Sequence, residues 1–182
     1  MKKLINCILL LLAYQIYGQS TDYWDVNITL PQIALLDIEP NNSTIELEAL
    51  PPNKPGEELN TGEGIDESKW INYTSTSSLS NPTKSVFAEI IQGQVPSGME
   101  VRLKADNYSG SDGDGVFGIS TGTIVLDNSA KIIISNIGGA FTGDNKNNGH
   151  KLTFSLHIIN YEEMSIVDDS NVLLVSYTLM DN

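Results

Sequence analysis

Apolar and polar residues alternate one for one along short runs of this chain, and no stretch keeps apolar residues at helical spacing for more than two turns. Val101, Leu103 and Ala105 alternate with Arg102 and Lys104, and Leu152, Phe154, Leu156 and Ile158 with Lys151, Thr153, Ser155 and His157. Leu173, Val175, Tyr177 and Leu179 interleave with Leu174, Ser176 and Thr178, while Ile45 and Leu47 sit between Thr44, Glu46 and Glu48. A period of two sends one face of a strand into a core and the other into water. Further strands are expected over residues 26–30, 33–38, 70–75, 86–91, 122–126 and 131–134. Turn residues separate the runs: Pro40-Asn41-Asn42, Pro96-Ser97-Gly98, Asp127-Asn128 and Asn147-Asn148-Gly149. Short strands at regular intervals predict an all-β fold, an immunoglobulin-like two-sheet antiparallel β-sandwich. Residues 51–68 and 106–122 lack the rhythm and are expected as long loops within one domain.

The N-terminus has a different grammar. Lys2 and Lys3 precede an unbroken apolar run from Cys7 to Tyr14, and the small residue Gly18 stands before the polar Gln19-Ser20. That is the pattern of a signal peptide over residues 1–18. A membrane-spanning helix needs about 20 apolar residues, whereas Leu4 to Tyr17 is fourteen residues and includes Asn6 and Gln15. Cys7 lies ahead of the apolar run, not behind it as an acylated cysteine would, so it is an ordinary leader residue. The expected product is a domain over residues 19–182, secreted or at the cell surface, with no membrane span.

Lys2 and Lys3 leave with the leader, so eight basic and twenty-three acidic side chains remain on that domain, and no cysteine. Stability must therefore come from the core without disulfides, although an exported protein could form them. Strong negative charge excludes nucleic acid and anionic membrane as partners, since both are bound through basic patches.

Asp106-Asn107-Tyr108-Ser109-Gly110-Ser111-Asp112-Gly113-Asp114-Gly115 is the most specific local pattern. Acids spaced by glycine can wrap a hard cation, which makes Asp106, Asp112 and Asp114 candidate calcium ligands. Val116 occupies the place where the helix-flanked calcium loop needs a third acid, so that motif fails, and a solvated hairpin loop is the alternative. His150 and His157 are seven residues apart and would lie about 23 Å from each other on an extended strand at ~3.3 Å per residue. They cannot share one metal, and no nucleophile elbow accompanies them. Glu89, between Phe87 and Ile91, either faces an apolar environment that would raise its pKa or simply faces water. Trp24 and Trp70 with Tyr23, Tyr73, Tyr108 and Tyr161 could form a sugar-stacking platform, though Trp70 reads better as core, with Phe87, Phe117, Phe141 and Phe154.

Taken together, the runs Leu30-Pro31-Gln32-Ile33-Ala34-Leu35-Leu36-Asp37-Ile38-Glu39, Trp70-Ile71-Asn72-Tyr73-Thr74-Ser75, Gly149-His150-Lys151-Leu152-Thr153-Phe154-Ser155-Leu156 and Val175-Ser176-Tyr177-Thr178-Leu179 resemble the small secreted β-sandwich surface proteins of Bacteroidota. More distantly they are similar to fimbrial, pilin-type subunits. The resemblance implies a structural or adhesion role with no active site, and partners that are copies of itself or other surface proteins. The absence of a mature disulfide departs from pilins. Two alternatives remain, a carbohydrate-binding module that takes a polysaccharide and a glycoside hydrolase working through paired carboxylates. Val26, Ile28 and Leu30, alternating with Asn27 and Thr29, could pair within their own domain or add to the edge of another copy.

Overall fold

The computed structural model describes residues 20–41, 43–62, 64–164 and 172–182; the expected leader, residues 1–18, lies outside the described residues. The chain divides into two compact units, Met1–Leu30 and Pro31–Asn182. In the first, the described residues 20–30 form no strand. The second is all-β, with nine strands and no α-helix among the described residues: β1 (Ala34–Glu39), β2 (Ile65–Ser75), β3 (Lys84–Gln92), β4 (Met99–Ala105), β5 (Asp114–Ser120), β6 (Thr123–Val125), β7 (Lys131–Phe141), β8 (His150–Ile158) and β9 (Leu174–Asp181). A 3-10 turn covers Tyr161–Glu163.

All strand pairs are antiparallel, and hydrogen bonding links the strands into one continuous sheet in the order β6-β4-β8-β2-β7-β3-β9, with β1 added to β2 and β5 to β7. β2 is the pivot. Its first part pairs with β8, from Ile65 opposite Ser155 to Ile71 opposite His150. Its last two residues, Thr74 and Ser75, pair with Phe141 and Ala140 of β7. That short junction divides the sheet's path into two groups of strands.

Inward side chains from both groups meet in one core: Ile71 and Tyr73 of β2, Val86, Ala88 and Ile90 of β3, Val101, Leu103 and Ala105 of β4, Ile133, Ile134 and Ile137 of β7, and Leu152, Phe154 and Leu156 of β8. Full burial of an aliphatic or aromatic side chain stabilises by about 1.5–3 kcal/mol, so the period-two runs of β4 and β8 are what hold these strands in register. Trp70 is buried as expected. On β3 the inward set is Val86, Ala88 and Ile90, which leaves Glu89 on the opposite face with Phe87 and the exposed Ile91.

Several expectations are corrected. Residues 26–30 alternate correctly yet form no strand. The run around Ile45 and Leu47 also joins no strand, although both side chains pack against the core. Phe141, expected in the core, is half exposed. The two segments expected as loops each contain strand: β2 begins at Ile65, and β5 occupies Asp114–Ser120. β5 is possible because of its glycines. Gly115, at φ +109°, lies opposite Ala140, and a Cβ there would run into the Gly139 carbonyl.

Candidate functional site

The core is closed on most sides and half open on one. Among the described residues β1 pairs only with β2, and β9 only with β3. The two strands approach each other without forming a ladder. Leu36 and Ile38 of β1, and Val175, Tyr177 and Leu179 of β9, pack on the core but stay only partly buried, whereas their counterparts on the central strands are sealed. An edge like this presents unpaired backbone groups beside apolar side chains, which is what a further strand needs. Residues 20–30 carry a matching pattern in their own unit: Trp24, Val26, Ile28 and Leu30 share one parity and are 84%, 80%, 81% and 83% exposed.

The acidic loop is dispersed by its hydrogen bonds. Asp106 makes a 2.7 Å ion pair with Lys104. Asp114 accepts from the Gly115 N–H at 2.7 Å. Asp112 accepts from the Ser111 hydroxyl at 2.8 Å and from Asn148 Nδ2 at 3.1 Å. No group of three His, Cys, Asp or Glu side chains converges as a metal set among the described residues. Asp112 lines a cleft of about 470 Å³ with residues of β1, β2 and the loop after β7.

The sequence sets the two histidines too far apart to share a metal but carries no sign of what His150 does. Its ring is fully buried, with Nδ1 2.8 Å from the Asp106 carbonyl and Nε2 2.9 Å from the Tyr73 hydroxyl and 3.1 Å from the Phe117 carbonyl. The carbonyls of Asp106 and Phe117 can only accept, and the neutral ring has a single N–H to offer them, from Nδ1 or from Nε2. The Tyr73 hydroxyl donates to the Phe117 carbonyl and lies within hydrogen-bonding distance of Nε2. Tyr108 stacks on Phe117, with ring centres 3.6 Å apart, and stands edge-on to His150. Burial pushes the His150 pKa down, against the pull of the two carbonyls. It also raises the Tyr73 hydroxyl far above its usual range, with a further push from Tyr108. The group ties β2, β5 and β8 to the segment that follows β4, beneath the cleft. It has no exposed nucleophile and is a structural pin. His157 stands apart, half buried, 3.0 Å from the Ser155 hydroxyl.

Trp70 lies in the interior of the β unit, and Trp24 belongs to the N-terminal unit. No family model, no curated protein and no solved structure matches the chain.

Proposed function

We propose that the chain is a secreted or cell-surface structural module, of adhesion type and without catalytic activity, that self-associates by strand addition. Residues 24–30 of one copy form a strand against the half-covered edge between β1 and β9 of another. The observation that carries this is the pairing of two incomplete halves: an alternating apolar segment that forms no strand, and a core seam whose side chains are only partly buried. Backbone hydrogen bonds supply affinity in such an arrangement, and alternate side chains supply register and selectivity. The signal peptide places the protein outside the cytoplasm, where its acidic surface suits a solvated environment. An immunoglobulin-like arrangement of the two strand groups accords with this role.

Sizing by light scattering tests the reading, with protein beginning at Gln19 and with a variant lacking residues 19–30. Oligomers of the longer protein that become folded monomers on truncation are expected. A longer protein that stays monomeric at high concentration overturns it.

A further inference from the structure

Basic residues are unevenly placed along the chain. After Lys3 the next is Lys54, and after Lys151 there is none. β1 and β9 lie in those two base-free stretches, and so does the segment 24–30. The central strands differ: Lys69 stands on β2, Lys84 on β3, Arg102 and Lys104 on β4, Lys131 on β7 and Lys151 on β8. The strand addition proposed above therefore joins two parts of the molecule that both lack bases on their own strands.

On β1 the carboxylates have no counter-ion. Leu36 and Ile38 pack on the core, so Asp37 and Glu39, one residue out of step with them, belong to the outward face. Neither takes part in an ion pair found among the described residues. Lys69 of the neighbouring β2 is buried, and its ammonium is held by the Asn41 carbonyl at 2.7 Å and the Ser43 hydroxyl at 2.8 Å. Asp181 of β9, by contrast, is matched by Lys84. The unmatched acid of the seam is thus on the β1 side.

We infer that this edge repels its own donor and that ionic strength switches the assembly on. The inference rests on the strand addition proposed above, because parity then decides what the carboxylates meet. With Trp24, Val26, Ile28 and Leu30 turned to the core, Asp25, Asn27 and Thr29 fall on the outward face, the face of Asp37 and Glu39. Side chains opposite each other on neighbouring strands have Cβ atoms about 4.5–5.5 Å apart, diagonal ones about 7–8 Å, and like charges so placed oppose pairing. Asp25 of the incoming copy thus meets the unmatched acids of β1. Screening reaches about 30 Å in 0.01 M salt but only about 3 Å in 1 M. Salt therefore relieves the repulsion and leaves the apolar side chains free to seal the seam. A seam built on ion pairs behaves in the opposite way, since salt weakens it.

The test is sedimentation equilibrium of protein beginning at Gln19, at one pH, in about 0.02 M and about 0.5 M sodium chloride. Association about tenfold stronger at the higher salt is expected, the scale set by two like-charge contacts in water. Asp25→Asn should associate at low salt nearly as well as wild type does at high salt. Asp25→Lys should reverse the slope and associate best at low salt, by pairing with Asp37 and Glu39. Adding Asp37→Asn and Glu39→Gln to Asp25→Lys should abolish that reversal. The remote pair Glu162→Gln, Glu163→Gln, which removes two charges, should leave the wild-type slope nearly unchanged. Asp25 lies in the N-terminal unit, so its variants keep the β domain folded. No association at any salt, in wild type and in Asp25→Lys alike, refutes strand addition and the inference with it. Association that is equal at both salts, or falls with salt, refutes the switch alone. So does an equal effect from the remote pair, or assembly that needs calcium at matched ionic strength, which would mean a bound metal instead of screening.

Discussion

Replacing His150 by Gln should flatten the dependence of stability on pH between neutrality and mild acid. The imidazole is buried among the Tyr73 hydroxyl, the Tyr108 ring edge and the carbonyls of Asp106 and Phe117, with no carboxylate against it. The Asp106 carboxylate is engaged by Lys104 instead. Burial holds the folded-state pKa of His150 below its ordinary value of 6.5. The unfolded chain therefore takes up the proton first as pH falls. The stabilisation from the neutral ring is complete above the unfolded value and is lost progressively below it, until the folded protein is also protonated. One proton limits the slope to about 1.4 kcal/mol per pH unit. Glutamine can donate to the Asp106 carbonyl and accept from Tyr73 but does not titrate. Urea unfolding from about pH 7.5 to about pH 5 should show wild type losing stability relative to His150→Gln. Asp127 and Asp181 are held below the usual carboxylate range by hydrogen bonds from Lys131 and Lys84, so their contributions are present above about pH 4 and fade only below it. His157 is common to both proteins and cancels in the comparison. Parallel curves, or a wild type that gains on the variant as pH falls, would refute the reasoning. The latter would mean that the two carbonyls stabilise an imidazolium more than burial opposes it.

Ile71→Ala, which removes a fully buried core side chain, should lower stability by about 2–5 kcal/mol in urea unfolding. Gly115→Ala should lose about 1–3 kcal/mol from backbone strain alone, with hydrogen exchange fastest along β5. Ile28→Asp should abolish self-association in sizing experiments while leaving the melting temperature of the β domain unchanged, because that residue lies in the separate N-terminal unit. Asp181→Asn should lower the melting temperature, since it leaves the buried Lys84 ammonium without its carboxylate.

The acidic segment shows how composition can hide structure. Its Gly, Ser and Asp residues predict a loop, yet Asp114–Ser120 pairs with β7 because Gly115 and Gly118 adopt positive φ and let the strand lie close against Ile134, Ile137 and Ala140. Asp106, Asp112 and Asp114, the candidate calcium ligands, each have partners of their own: Lys104, the Ser111–Asn148 pair and the Gly115 amide. No local signal marks Asp37 and Asp144 as neighbours of Asp112. They come from β1 and from the loop after β7.

What the sequence determined by itself is the face each residue would present. Alternation at 101–105 and 152–158 specifies which side chains are apolar together, and those strands and their buried sets appear where the pattern places them. The same alternation at 26–30 and 44–48 produces no strand. Periodicity records a preference for two unlike faces, but a strand also needs a neighbour whose backbone groups complete its ladder. That neighbour is chosen by contacts distant in sequence. Only the tertiary structure decided that β2 would switch partners from β8 to β7, that β1 and β9 would face each other without pairing, and that His150 would meet Tyr73 across 77 positions of chain.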